Sequence, residues 1–265
     1  MLPAGKEFMA ERRKLSAYII AYNEEKKIED CLKSIKWADE IIVVDCFSTD
    51  QTREICRRYT DKIYQAKFTG FGQLRNLALS YTSYDWILNL DADERIPLPL
   101  QNELVRELSL PQPSADVYLI PRKSYFLGKW IKHCGWYPDY RHSPFFYKPK
   151  LKYRSDDLVH EWFETSGKIG YLKNSLIHYP FMTLEEFFQK MDRYSGLKAK
   201  EMFQKGKKFH LSHLLIHPLA CFCRMYFTKL GFLDGQFGFI LSILYSYYTF
   251  IKYLKLWELS GWQRD

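Results

Sequence analysis

The chain has 265 residues, 47% of them hydrophobic and 26% charged, enough to bury a substantial core, which excludes a disordered or low-complexity protein. Its six cysteines form no C-x-x-C pair, which argues against a disulfide scaffold, a zinc finger and an iron-sulfur cluster. The formal charge of +8 lies wholly after residue 140, with 20 Lys and Arg against 20 Asp and Glu before that point and 19 against 11 beyond it. A basic, aromatic-rich second half suits an anionic membrane surface, whereas no nucleic-acid motif accompanies it, so nucleic acid is not an expected partner. Reduced thiols and the lack of an amino-terminal apolar h-region point to the cytoplasm.

The apolar run Leu15 to Ala21 reads as a buried strand, and Ile28, Cys31, Leu32 and Ile35 place a helix over residues 24–35. Residues 40–45 form a Val/Ile strand, Ser48-Thr49-Asp50 offers N-cap oxygens, and a helix follows over 52–59. A short strand at 62–65, a Gly70-Phe71-Gly72 turn, a helix over 73–81 and a strand over 86–90 continue the alternation. Strand-helix repetition with short connections predicts a mostly parallel α/β sheet. A helix over 98–108, a strand over 116–121, an aromatic loop over 125–136 and an amphipathic helix over 184–203 complete the reading. The predicted domains are 1–180, an α/β domain, and 181–265, a helical region that faces a membrane or joins copies into a homo-oligomer. Residues 235–251 carry no charge, but seventeen positions are at the lower limit for crossing a bilayer, and their tyrosines favour an interfacial helix.

The chemistry concentrates where the strand over 86–90 runs into Asp91-Ala92-Asp93-Glu94. Two carboxylates at the carboxyl edge of a parallel sheet repel unless a cation lies between them, and a hard divalent ion bridging to diphosphate oxygens would supply that charge. Tyr22-Asn23-Glu24-Glu25 and Asp45 end two further strands on the same edge. A nucleotide across them would give Asp45 the base imide and Glu24 the ribose hydroxyls. Asn23 and Ser48 read equally well as helix caps. No G-x-G-x-x-G is present, which disfavours a dinucleotide-binding dehydrogenase.

Ala21-Tyr22-Asn23-Glu24-Glu25, Val43-Val44-Asp45 with Ser48-Thr49-Asp50, Arg75-Asn76 and Asp91-Ala92-Asp93-Glu94 together resemble family 2 glycosyltransferases of GT-A fold. Tyr125 to Trp130, Gly135-Trp136-Tyr137-Pro138-Asp139, Val159-His160-Glu161 and Gly231 to Gly235 resemble the branch containing lipopolysaccharide inner-core β-glucosyltransferases. The resemblance spans residues 14–258. It implies a nucleotide-sugar donor site of Tyr22, Glu24, Asp45 and Arg75, with Asp91 and Asp93 at the diphosphate and a Mg or Mn ion. Cys46 and Phe47 stand where the family usually has a small residue, which leaves the donor's identity less defined than its class.

Inverting transfer needs a base at the acceptor hydroxyl. Asp139, Asp156, Asp157 and Glu161 are the carboxylates available between Trp130 and Glu161, and the resemblance favours Asp139, with Glu161 second. Asp139 is also readable as a turn carboxylate after Pro138, and Asp156 and Asp157 as a solvated pair. His160 is either a third metal ligand, as the resemblance implies, or a structural imidazole beside Trp162 and Phe163. His210, His213 and His217 recur at helical spacing without an acidic ligand and are not read as a metal site. The implied reaction is transfer of glucose from UDP-glucose to a lipid-linked inner-core saccharide. A different donor, a polyprenyl-linked or protein acceptor, and a non-catalytic binding protein of the same fold are the alternatives.

Overall fold

The computed structural model describes residues 12–140, 144–154 and 163–261. In chain order the elements are β1 (Leu15–Ala21), α1 (Ile28–Ser34), β2 (Glu40–Asp45), α2 (Thr52–Cys56), β3 (Ile63–Gln65), α3 (Phe71–Ser80), β4 (Trp86–Asp91), β5 (Glu94–Arg95) and α4 (Leu98–Ser109). They continue with β6 (Val117–Leu119), β7 (Arg122–Phe126), β8 (Lys129–Trp130), β9 (Phe145–Tyr147), β10 (Leu151–Tyr153), β11 (Phe163–Thr165), β12 (Ile169–Tyr171) and β13 (Leu176–Phe181). The last three are helices, α5 (Leu184–Gln204), α6 (Ile216–Cys223) and α7 (Gln236–Leu259).

The chain divides into two compact units, residues 1–122 with 139–178, and residues 123–138 with 179–265. Residues 123–138 thus group with the carboxyl-terminal helices.

The first unit holds a seven-stranded sheet in the order β12-β6-β9-β4-β1-β2-β3. Strands β4, β1, β2 and β3 are parallel, and β9 is antiparallel to both β4 and β6. Near-continuous apolar strands such as β2, all six residues buried, are what a sheet covered on both faces requires. One buried cluster joins Leu15, Ile19, Ile28, Leu32, Leu88 and Leu104, and a second joins Tyr18, Val44, Leu74, Ala78 and Phe146.

At the opposite end of β2 from its carboxyl edge, buried Glu40 accepts from Ser83 N at 2.8 Å and Ser83 Oγ at 2.6 Å, from Ser16 Oγ and from Lys62 Nζ. Burial alone would raise this carboxyl, but Lys62, Ser16 and Ser83 override it and hold the pKa at about 2, against an ordinary 4.5. The stability that Glu40 contributes is therefore complete above about pH 4.5 and is lost as pH falls toward 2. In acid titrations followed by circular dichroism, Glu40→Gln is expected to flatten the stability loss across that window; an unchanged profile would show that Glu40 is not a source of it.

In the second unit, Phe126, Phe181, Phe187, Met191, Met225 and Leu241 form a buried cluster, each such side chain worth about 1.5–3 kcal/mol on burial. The span over 125–136, expected to be loop, carries a hairpin: Tyr125 pairs Trp130 and Phe126 pairs Lys129. Its two connecting residues, Leu127 and Gly128, have φ of 48° and 82°, the mirror-image turn that matches strand twist, built without the Asn-Gly or Asp-Gly that usually signals it. No helix among the described residues is long and apolar enough to cross a membrane.

Candidate active site

Register places the site. In the parallel ladders Ala21 pairs Asp45 and Ile20 pairs Asp91, so β1, β2 and β4 end together and bring Asp45 and Asp91 to one sheet edge. Open α/β sheets bind ligands at this carboxyl edge, outside the hydrogen-bonded strands.

The loops after β1 and β2 clamp each other. Asn23 N–H donates to Ser48 Oγ at 2.9 Å, Glu24 N–H to Thr52 Oγ1 at 2.9 Å and Glu25 N–H to Asp50 Oδ2 at 3.1 Å. Asn23 Oδ1 accepts from Thr49 N–H at 2.8 Å, with Asn23 at φ 53°. This corrects two expectations. Asn23 and Ser48 bridge loops rather than cap helices; of the expected cap oxygens, Asp50 Oδ1 accepts from Thr52 N–H at 3.0 Å at the start of α2, while the N-cap residue Gln51 makes no side-chain bond. The helix expected from residue 24 is α1, which begins at Ile28; Lys27 N–H and Ile28 N–H both donate to Glu24 O at 2.9 Å in the turn that precedes it.

Asp45 is fully buried and accepts from Ser48 N–H at 3.3 and 3.2 Å and from Gln65 Nε2 at 3.3 Å. Tyr22 is exposed at the rim, and Glu24 is half-buried beside it. Phe47, at φ 59°, points its ring outward and is exposed.

Arg75, expected among the donor-site groups, is 1% exposed. Its guanidinium donates to Asn89 Oδ1 and, at 2.9 Å, to Asp91 Oδ1, which makes it a holder of the β4 carboxylate. Beyond Asp91 the chain turns sharply: Arg95 staples the turn by donating to Ala92 O at 3.0 Å and Lys27 O at 2.6 Å, and Glu94 Oε2 accepts from Asp91 N–H at 2.9 Å. Strand β5 then pairs antiparallel with β13, with Glu94 opposite His178. That pairing sets His178 Nε2 3.5 Å from Asp93 Oδ1.

Asp139 is buried and joined to the same motif through one residue. Arg122 donates through Nη2 to Asp139 Oδ2 at 2.7 Å, places Nη1 3.5 Å from Glu94 Oε1, and gives its N–H to Asp139 O at 3.1 Å. Burial would lower Arg122, but Glu94, Asp139 and Asp91 outweigh it and keep the guanidinium charged. Sequence reading named neither Arg122 nor His178. A lone arginine after Ile120-Pro121 and a histidine within an apolar strand carry no local signal, because only the β5–β13 pairing and the 122–139 bridge bring them to the acids. His160, Glu161, Asp156 and Asp157 lie outside the described residues.

Among the described residues no three His, Cys, Asp or Glu side chains are gathered as a complete ligand set. Mg and Mn do not demand one, since they are commonly held by one or two carboxylates together with substrate phosphates. Asp91, one-third exposed with one oxygen on Arg75, and Asp93 beside the His178 imidazole have the donor chemistry for such an ion.

The features define a class: an α/β protein whose acids, with an arginine hub, converge at the carboxyl edge of a mostly parallel sheet. Residues 16–179 match Glycosyl transferase family 2. The chain belongs to that family, and its fold is GT-A-like. It is similar to the lipopolysaccharide core biosynthesis glycosyltransferase LpsC of Rhizobium meliloti, 29% identical over 94% of each chain. It is also similar to an uncharacterized glycosyltransferase of Rickettsia typhi, 30% identical over 94% of this chain and 88% of the other. Among solved structures, S. aureus TarS 1–349 aligns over 95% of this chain and 93% of its own, with 18% identity and a TM-score of 0.45.

Proposed function

We propose that the protein is an inverting hexosyltransferase that moves glucose from UDP-glucose to a lipid-linked lipopolysaccharide inner-core saccharide at the cytoplasmic face of the inner membrane. The observation that carries the reading is Arg122, which ties Asp139 to Glu94 of the strand-end acidic motif. The similarity to LpsC, named for lipopolysaccharide core biosynthesis, supports the acceptor class.

On this reading Asp45 receives the base and Glu24 the ribose, beneath the Tyr22 ring. Asp91 and Asp93 would hold a Mg or Mn ion, which when bound supplies the charge that a departing nucleoside diphosphate needs. His178 is an imidazole that the geometry sets 3.5 Å from Asp93. Arg75 and the Asp91 N–H bond to Glu94 fix the direction of the first carboxylate. Asp139 takes the proton of the acceptor hydroxyl as its oxygen bonds to the anomeric carbon and the diphosphate leaves from the opposite face. Arg122 holds the Asp139 carboxylate in place through Oδ2 at 2.7 Å. The exposed apolar side chains of residues 211–243, with the basic residues around them, seat the enzyme on an anionic bilayer where its acceptor resides.

A panel of nucleotide sugars tested by thermal shift with and without Mn checks the donor reading. UDP-glucose with Mn at about 100 times Kd is expected to add about 2.7 kcal/mol, a rise of roughly 5–10 °C in Tm. Release of glucose or its transfer to inner-core acceptor should require the ion. If no nucleotide sugar shifts Tm and none is turned over, the catalytic reading fails and a non-catalytic binding protein remains.

A further inference from the structure

The second unit contains a cation cluster that the proposed transfer chemistry does not use. It surrounds Tyr253, 5% exposed in a small core with Ala199, Met202 and Leu256. The His217 ring stacks on Tyr253 at 4.7 Å and 17°, the His213 ring lies 4.9 Å from it, and the two imidazoles are 5.0 Å apart. Lys252 Nζ stands 5.0 Å from the centre of the Tyr253 ring, and Lys207 Nζ reaches the Tyr253 hydroxyl at 3.4 Å. Four segments thus direct basic groups at one ring: the chain after α5, the turn before α6, α6 and α7.

Among the described residues nothing acidic compensates them. Glu201, the carboxylate on the adjacent stretch of α5, is taken up by Lys198 at 3.0 Å and Lys205 at 2.8 Å. Among the described residues Lys207, Lys252 and Arg224 have no carboxylate in an ion pair. Cations gathered without a counter-charge raise the free energy of the fold unless an anion joins them.

The surroundings say what kind of anion. Leu211, Leu215, Ile216 and Leu219, interleaved with His213 and His217, are exposed by 72, 73, 62 and 64%. A free phosphate or a nucleotide has no use for that apolar margin, whereas an amphiphile has: its phosphate meets the cations while its apolar portion covers the leucines.

We propose that Lys207, Lys252, His213 and His217 form a binding site for the phosphate of an anionic lipid headgroup. The site gives the membrane seating part of the proposed function, on which it rests, a specific headgroup contact. Burial pushes His213 and His217 below the ordinary histidine range, with neighbouring cations acting the same way: His217, His210 and Lys207 on His213, and Lys207 and Lys252 on His217. An anion favours their protonated forms, so binding strengthens as pH falls below that range. The other charged or titratable groups facing the cluster are Lys198, Glu201, Cys221 and Arg224, with His210 5.2 Å from His213.

Sedimentation of the full chain with vesicles tests the site, using pure phosphatidylcholine and phosphatidylcholine containing phosphatidylglycerol. The wild type is expected to prefer the anionic vesicles, more strongly at pH 5.5 than at pH 7.5, by about 30-fold when both imidazoles are charged. Lys207→Gln with Lys252→Gln should reduce that preference by about 30-fold, at roughly 1 kcal/mol per cation. The charge-matched pair Lys200→Gln with Lys208→Gln should reduce it much less. Lys207→Gln alone, at an exposed position, keeps the test open if the double variant does not fold. Equal loss in both pairs means diffuse attraction and overturns the site while leaving the membrane reading intact. Absence of binding to either vesicle sinks the membrane reading itself. If inorganic phosphate at millimolar concentration displaces the protein from anionic vesicles, the cluster is a general phosphate site and the lipid assignment is wrong.

Discussion

Asp139→Asn is expected to lower kcat by about 10²–10⁴, the usual worth of a positioned general base, with donor affinity nearly unchanged. The substitution is isosteric, and the backbone bond from Arg122 N–H to Asp139 O at 3.1 Å remains, so the local fold persists. The amide cannot take a proton, and Arg122 keeps Glu94 as a carboxylate neighbour at 3.5 Å. Steady-state kinetics with saturating donor, read beside the melting temperature, separate the two roles of this residue. A carboxylate that merely neutralises Arg122 would give a lower Tm and an undiminished kcat in the folded enzyme. That result would move the search for the base to Glu161.

Arg75→Met should cost about 3 kcal/mol, the low end for breaking a buried pair because Asp91 is one-third exposed. For a chain of this size the loss corresponds to a fall of roughly 6–12 °C in Tm. Two buried groups lose their donor together: Asn89, itself 1% exposed, and the inner oxygen of Asp91. The Arg75 guanidinium also lies 5.7 Å from the Tyr153 ring centre, a contact the thioether reproduces poorly. Arg75→Lys should recover little, because a single ammonium cannot span both acceptors as the planar fork does. Should Tm stay within about 2 °C of wild type while donor KM rises, Arg75 would be a direct diphosphate ligand and not a support for Asp91.

The two variants separate legible from hidden features. Asp91 and Asp45 were readable because each ends an apolar run, Asp93 because it stands two residues beyond the first, and the alternation of strand and helix implies parallel strands that finish on one edge. The ladder register, Ala21 with Asp45 and Ile20 with Asp91, agrees with that inference. Long periodic elements were equally plain: the helix expected over 184–203 is α5, Leu184–Gln204. Arg122 and His178 were invisible, since their meaning depends on partners 17 to 85 positions away.

Sequence by itself determined the layered α/β core, the sheet edge that carries the acids, and the family, because burial periodicity and strand-end carboxylates are local properties of the chain. Tertiary structure alone decided which groups hold those acids. It clamped the loops after β1 and β2 by giving the N–H groups of residues 23–25 to Ser48, Thr52 and Asp50, and folded residues 125–130 into a hairpin through two positive φ angles. It also wrapped basic groups from four segments around Tyr253. Apart from the short hairpin, each of these is a contact between segments distant along the chain, whose free energy comes from desolvated hydrogen bonds and charges that no window of neighbouring residues contains.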